Sequence, residues 1–219
     1  MGEMKSFANP ARSLACSVVL CLCAPAIFAQ SFLRHLDSET IREAYQFGRH
    51  NDEPVGIFLS KYVRTFPTPP KGAYIGRIEV RTPYAQVVYA AKDDLQNDTE
   101  IDAVQKFDQA KLPVIVIVRV YWPPPAVTGS IFPPESNNSM WTKFPIVVSQ
   151  KDPLTTNRKT LVPHYSNSGS DSDESVTLVD TDMQLEFSAA KMSSEMLTIS
   201  ASSPDGQHVE AKFDLSKLK

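Results

Sequence analysis

Residues 114–122 read VIVIVRVYW, a run of β-branched and aromatic side chains that contains one charged residue, Arg119, and lies between Pro113 and the prolines that begin at Pro123. Such residues favour strands, and a continuous apolar run is typical of a strand that is covered on most of both faces. Proline cannot donate a ladder hydrogen bond, so we expect the strand to stop at Pro123. The run also divides the chain, because helical spacing dominates before it and strand alternation after it.

Downstream of this run the pattern is that of antiparallel β structure. Met183, Leu185 and Phe187 alternate with polar residues, and turn signals recur about every ten positions. Pro204-Asp205-Gly206 predicts a tight hairpin, because proline presets the turn and glycine accepts a positive φ. Residues 127–139 and 166–175 are polar and predict surface loops. The predicted strands cover residues 141–149, 159–165, 176–188, 196–202 and 208–215.

Upstream, residues 30–112 form a helix-rich portion. Helical spacing predicts helices over residues 38–49, 54–64, 84–91 and 99–111, the last with Ile101 in its apolar stripe. For residues 84–91 a strand is the competing interpretation, because valine and tyrosine favour sheets. Residues 74–80 alternate and predict a half-buried strand, with Ile75 on the same side as Arg77. The candidate helix caps are Asp37 or Ser38, Asn51 or Asp52, and Thr82. The predicted class is α+β, with an antiparallel β-sandwich-like part over residues 113–219 packed on the helical portion.

The first 29 residues have the pattern of a secretory signal peptide. Lys5 and Arg12 precede an uncharged, mostly apolar run that ends in small residues. The run is shorter than the roughly 20 residues that a transmembrane helix needs. Ala24-Pro25-Ala26 is a small-x-small motif that allows cleavage after Ala26, whereas Ile27-Phe28-Ala29 allows cleavage after Ala29 with a less ideal residue at its first position. We favour Ala29, because cleavage there leaves the apolar Ile27 and Phe28 on the leader. We therefore expect a periplasmic or extracellular protein without an integral membrane segment after signal cleavage.

All three cysteines, Cys16, Cys21 and Cys23, fall within the predicted leader. Its removal would leave a chain without disulfides, thiol catalysis or cysteine–zinc sites. A lipoprotein signal needs a cysteine directly after a small residue at the end of the apolar run, and none stands there. Residues 30–219 carry 20 Lys and Arg against 24 Asp and Glu. We expect no nucleic-acid partner, because such a partner needs a basic face.

The segments IREAYQFG (residues 41–48) and RTPYAQVV (residues 81–88) resemble uncharacterised exported proteins of soil-type bacteria. The resemblance covers about a third of the chain. It implies a bacterial source and export, and it assigns no activity and no site residues.

An aromatic cluster is the predicted ligand-binding site. Tyr121 and Trp122 precede a triple proline, and flat rings at a strand end can stack on a sugar or on a proline-rich peptide. Trp141 is the third candidate. The partner would then be a protein or a glycan. In the competing interpretation, Trp122 closes the core and the prolines prevent pairing at the sheet edge.

The acidic loop offers a possible calcium site, because Asp171, Asp173 and Glu174 present oxygen ligands close together. Calcium requires about six to eight oxygens, and the EF-hand pattern is absent from the sequence. The competing interpretation is therefore a solvated loop. The histidines have no metal-binding spacing and are expected at the surface or on a strand face. They are His35, His50, His164 and His208.

No nucleophile elbow, phosphate loop or His-Glu-x-x-His motif occurs in the sequence. The leading hypothesis is an exported, non-enzymatic binding module or structural component of the envelope. Two alternatives remain open. One is a calcium-stabilised adhesion module. The other is a secreted hydrolase that uses scattered carboxylates such as Glu79, Asp180, Asp182 or Glu186.

Overall fold

The computed structural model describes residue 32 and residues 34–94, 98–108, 110–123, 137–168 and 175–219. The predicted signal peptide and most of both predicted loops lie outside these ranges. Within them, no helix has the length and apolar character needed to cross a membrane. The elements, in chain order, are α1 Ser38–Arg49, α2 Glu53–Ser60, β1 Val63–Thr65, β2 Tyr74–Arg81, α3 Pro83–Lys92, α4 Glu100–Phe107, β3 Val114–Tyr121, α5 Asn137–Lys143, β4 Ile146–Ser149, β5 Arg158–Ser168, β6 Ser175–Phe187, β7 Met196–Ser202 and β8 His208–Asp214.

The strands form two antiparallel sheets. One has five strands in the order β1-β2-β3-β6-β5, and the other has three in the order β4-β7-β8. This confirms the α+β class and the sheet-rich C-terminal part. The larger sheet also takes β1 and β2 from the helix-rich portion, so its ladder runs across the division at residue 113.

One apolar core serves both sheets. In β3, Val114, Val116, Val118 and Val120 are fully buried, whereas alternate residues such as Arg119 are partly exposed. The strand predicted from residues 114–122 is therefore confirmed, and its two faces differ in burial. The other strands extend this core cluster with Ile75, Ile78, Val80, Met183, Leu185, Phe187, Leu197, Ile199, Ala201, Val209, Ala211 and Phe213.

Helices α1 to α4 pack around a second cluster that includes Ile41, Val55, Tyr84 and Val88. Helices α1 and α3 come close at Gly48, where a Cβ would lie 2.4 Å from the Val88 carbonyl oxygen. Only glycine therefore fits this crossing without a shift of the backbone. The predicted caps are confirmed, because three side chains accept hydrogen bonds from first-turn amides: Asp37 from Thr40, Asp52 from Val55 and Thr82 from Ala85.

Two predicted elements around residues 99–149 need correction. Helix α4 ends at Phe107, and Ile101 is 64 % exposed rather than part of the apolar stripe. Residues 141–143 belong to helix α5, and the strand begins only at Ile146. Met140 and Phe144, four positions apart, are both buried, which is helical spacing that the strand prediction missed.

Two further corrections concern residues 61–77. The second helix ends at Ser60, and the short strand β1 follows it. In β2, the register shifts between Ile75 and Arg77, so Gly76 is an extra residue in the ladder. This β-bulge reverses the alternation, and Ile75 is buried with Ile78 in the core instead of sharing a side with Arg77.

Candidate functional site

The side of the five-stranded sheet opposite the core, called here the outer face, carries charged residues on four strands. Strand alternation places every second residue on this side, and cross-strand register brings them into contact. The charged residues are Arg77, Glu79 and Arg81 on β2, Arg119 on β3, Asp180, Asp182 and Glu186 on β6, and Arg158 and His164 on β5.

One end of the outer face is covered by helix α3. Glu79, whose side chain is only 3 % exposed, accepts hydrogen bonds from Arg77 Nη2 at 2.5 Å and from Arg81 Nε at 2.6 Å. Tyr89 of α3 lies over the Arg81 guanidinium, 4.4 Å from ring centroid to Cζ. Burial, together with the negative charge of Glu79, raises the pKa of Tyr89. Helix α3 and the two arginines thus enclose Glu79.

At the centre of the sheet, Arg119 and Asp182 form a bidentate ion pair. Arg119 Nε donates to Oδ1 at 2.6 Å and Nη2 donates to Oδ2 at 2.8 Å. His164 Nε2 lies 3.1 Å from the same Oδ2. Burial alone would raise the pKa of Asp182, but the bonds from Arg119 and His164 hold it below its ordinary value. The hydrogen bond to Asp182 correspondingly raises the pKa of Arg119.

Asp180 lies two residues along β6 from this pair and is only 9 % exposed. Its Oδ1 is 3.4 Å from Arg119 Nε and 3.9 Å from His164 Nε2, and it accepts no hydrogen bond from the described residues. Ligand atoms of His164, Asp180 and Asp182 all lie within 4.8 Å of one another. The structure therefore brings together one imidazole and two carboxylates from neighbouring strands.

The end of the outer face away from α3 carries a cross-strand row of four residues: Tyr74, Tyr121, Asp180 and His164. We call it the tyrosine–histidine row. The two tyrosine rings are stacked, with centroids 5.3 Å apart and planes at 19°. Glycine is required beneath them, because a Cβ at Gly76 would lie 2.6 Å from the Tyr121 ring.

A β-bulge adjoins the tyrosine–histidine row on each side. One is the Gly76 bulge in β2, and the other adds Val179 to β6, where the register shifts between His164 and Tyr165. Bulges occur often beside functional sites, where they redirect side chains. Here they determine which side chains reach the outer face at this end of the sheet.

The predicted aromatic cluster is divided between the two sides of the sheet. Tyr121 belongs to the outer face, whereas Trp122 packs edge-on against buried Phe144 with ring centroids 6.0 Å apart. The Trp122 indole Nε1 donates to Thr181 Oγ1 at 3.2 Å. Trp141 lies on α5, and Lys159 Nζ is 5.2 Å from its ring centroid. The two tryptophans therefore border the core, and only Tyr121 joins the charged surface.

The calcium candidates Asp171, Asp173 and Glu174 lie outside the described residues.

Four carboxylates were named as candidates for a hydrolase. The structure brings two of them, Asp180 and Asp182, together. The other two, Glu79 and Glu186, have separate arginine partners. His164 lies on a strand face, one of the two positions expected from the sequence, but its approach to Asp180 and Asp182 was not predicted. The signal that could have joined them is that the predicted strands 159–165 and 176–188 are consecutive, because consecutive antiparallel strands often pair.

A separate open cavity of about 580 Å³ lies between α1 and the first turn of α4, lined by Tyr45, Arg49, Asp98 and Glu100 among others. It lies among the helices and shares no lining residue with the outer face.

The chain was compared with protein-family models, with curated proteins and with solved structures, and none of them matches it. The resemblance to exported bacterial proteins therefore stays a prediction.

Proposed function

We propose that this chain is an exported, non-catalytic module that binds a glycan at the tyrosine–histidine row. In this proposal the two sheets form the sandwich-like body, and the open end of the outer face is the binding surface. The observation that carries the proposal is the stacked pair Tyr74–Tyr121 in line with Asp180 and His164. Flat rings stack on the apolar faces of sugars, and polar groups beside them bind hydroxyls.

The dimensions of the row fit an extended ligand. Four neighbouring strands at a spacing of about 4.8 Å give a row of about 14 Å. His164 and Arg119 keep 42 % and 26 % of their side-chain surface exposed, so a hydroxyl can reach both. Both tyrosines are half-buried. A surface with aromatic rings at one end and hydrogen-bonding groups at the other suits a polysaccharide chain better than a compact small molecule.

The ionisation of Asp182 excludes it from one of the two carboxyl roles that a hydrolase would need at this site. A glycosidase needs one carboxyl group whose pKa is raised, so that it can protonate the leaving oxygen. Arg119 and His164 instead hold the pKa of Asp182 low, and the paired carboxylate stays ionised. Asp182 therefore supports the surface as a fixed charge and is not suited to act as the general acid.

Native affinity electrophoresis with soluble polysaccharides tests the proposal. The probes are a glucan, a xylan, a mannan and a polygalacturonate, each cast into the gel. We expect at least one to retard the protein, and Tyr121→Ala to reduce the affinity at least tenfold because the stacking surface is lost. Tyr165→Ala is the matched control, since Tyr165 is 51 % exposed on β5 and lies outside the row.

Three results would contradict the proposal: no retardation by any probe, equal retardation of the Tyr121→Ala variant, or equal loss of affinity in both variants. Release of reducing ends from a retarding polysaccharide would favour the hydrolase alternative instead. Capture of a protein partner that is lost in Tyr121→Ala, with no polysaccharide bound, would replace the glycan by a protein ligand.

Export is tested separately by the N-terminal sequence of the protein recovered from its own cell. A chain that starts at Gln30 in the periplasm or medium supports the proposal. A cytosolic chain that starts at Met1 overturns export, whatever the outcome of the binding test.

A further inference from the structure

We propose that His164, Asp180 and Asp182 bind one divalent transition-metal ion, of the zinc or manganese class, on the outer face. The proposal does not rest on glycan binding. It starts from three ligand atoms that lie within 4.8 Å of one another. The neighbouring strands β5 and β6 supply them, and the register of these strands shifts at the bulge beside His164.

The distances suit an ion of this size. His164 Nε2 is 3.1 Å from Asp182 Oδ2 and 3.9 Å from Asp180 Oδ1. Ligands at about 2.0–2.2 Å from a tetrahedral zinc ion stand about 3.3 Å apart. Small side-chain rotations therefore bring all three atoms to bonding distance. With the ion bound to His164 Nε2, the neutral imidazole carries its proton on Nδ1. Arg119 Nε and Nη2 keep their bonds to Asp182 Oδ1 and Oδ2, and Oδ2 binds the ion through its second lone pair.

A second observation points independently to a ligand. Asp180 Oδ1 is buried yet accepts no hydrogen bond from the described residues, which is costly for a carboxylate oxygen. Asp180, Asp182 and Arg119 together carry one excess negative charge when the imidazole is neutral. Arg119 Nε and His164 Nε2 lie 3.4 Å and 3.9 Å from Asp180 Oδ1 without a hydrogen bond, so a cation here would give this oxygen a close partner and would offset the excess charge.

The ligand set selects the class of metal. Imidazole nitrogen with carboxylate oxygen suits zinc, manganese or iron, whereas calcium and magnesium are bound mainly by oxygen. Arg119 plays the part of the outer hydrogen-bond donor that holds a ligating carboxylate in place. Because 42 % of the His164 side chain is exposed, the ion has an entry path and keeps open positions for water or a ligand.

Electron paramagnetic resonance provides the test, because free Mn²⁺ gives a signal that binding removes. The full chain, kept reduced so that its cysteines stay free thiols, is titrated with Mn²⁺ without any polysaccharide. We expect one saturable equivalent that Zn²⁺ displaces. Asp180→Asn and His164→Gln should each weaken Mn²⁺ binding at least tenfold. Glu186→Gln is the matched control, since it removes a carboxylate from the same strand and face.

Thermal melting in chelator checks that each variant is folded. Asp180→Asn should still unfold in one cooperative transition there, because Oδ1 has no hydrogen bond to lose. Absence of saturable binding overturns the site, as does wild-type affinity in both ligand variants. Equal weakening by Glu186→Gln would show that the face attracts cations without a defined site. Failure of the polysaccharide test leaves these results unaffected, so the two proposals fail separately.

Discussion

The inner and outer faces of the five-stranded sheet bury their side chains by different means. On the inner face, Val118 and Met183 are fully buried against other apolar groups. On the outer face, Glu79 and Asp182 are nearly as buried, but each is held by charged partners. Apolar packing tolerates many neighbours, whereas a buried carboxylate needs particular donors at particular positions. The stability of the side chains on the outer face therefore depends more strictly on the strand register than the stability of those on the inner face.

The largest effect is expected on the inner face. Met183→Ala should lower the free energy of unfolding by about 2–5 kcal/mol, because it removes a buried side chain and leaves a cavity. The next residue, Gln184, lies on the outer face and is half-buried, so Gln184→Ala is the matched control and should cost less than about 1 kcal/mol. Urea unfolding of both variants measures the difference. Equal losses would mean that the two faces are not distinct in burial.

An intermediate effect is expected at the covered end of the outer face. Glu79→Gln should cost about 1–3 kcal/mol, because it leaves Arg77 and Arg81 without their buried counter-charge. The loss is below the full value for a buried pair, since about a third of each arginine is exposed. Glu210→Gln, in an exposed pair with Lys212, is the control in the same unfolding assay. A Glu79 variant as stable as this control would contradict the contribution assigned to the arginines.

The smallest effect is expected at the exposed edge of the outer face. Arg158 lies 3.8 Å from Glu186 and keeps 68 % of its side chain exposed. Arg158→Ala should therefore change the free energy of unfolding by no more than about 0.5 kcal/mol. Raising the salt concentration should abolish even this difference, because exposed charges are screened. A loss above about 1.5 kcal/mol, or one that persists at high salt, would place Arg158 among the buried pairs.

Much of the fold could be predicted because the signals are local. Residues 114–122 and 196–202 carry continuous or alternating apolar side chains, and Asp37, Asp52 and Thr82 cap helices through neighbours three positions away. The turn at Pro204-Asp205-Gly206 was equally local, and Gly206 has the positive φ of 88° that the turn requires.

The site could be predicted only in part, because its signals are not local. His164 and Asp182 are 18 positions apart in sequence, and they meet only through the β5–β6 register and the bulge at Val179. Tyr121 and Trp122 were grouped as neighbours, yet adjacent strand residues point to opposite sides. The bulge at Gly76 similarly moved Ile75 to the core, and no periodicity in β2 reveals that extra residue.

The Gln207 side chain joins the hairpin of the small sheet to the large one. Its amide nitrogen donates to the Ile75 carbonyl at 3.1 Å, and its amide oxygen accepts from the Ile75 N–H at 2.8 Å. The Gln207 side chain occupies the position beside β2 that β1 would take if it continued beyond its pairing with Arg77. The Ile75 amide proton should consequently exchange with deuterium only when the sheets separate, so its exchange rate reports how often they come apart.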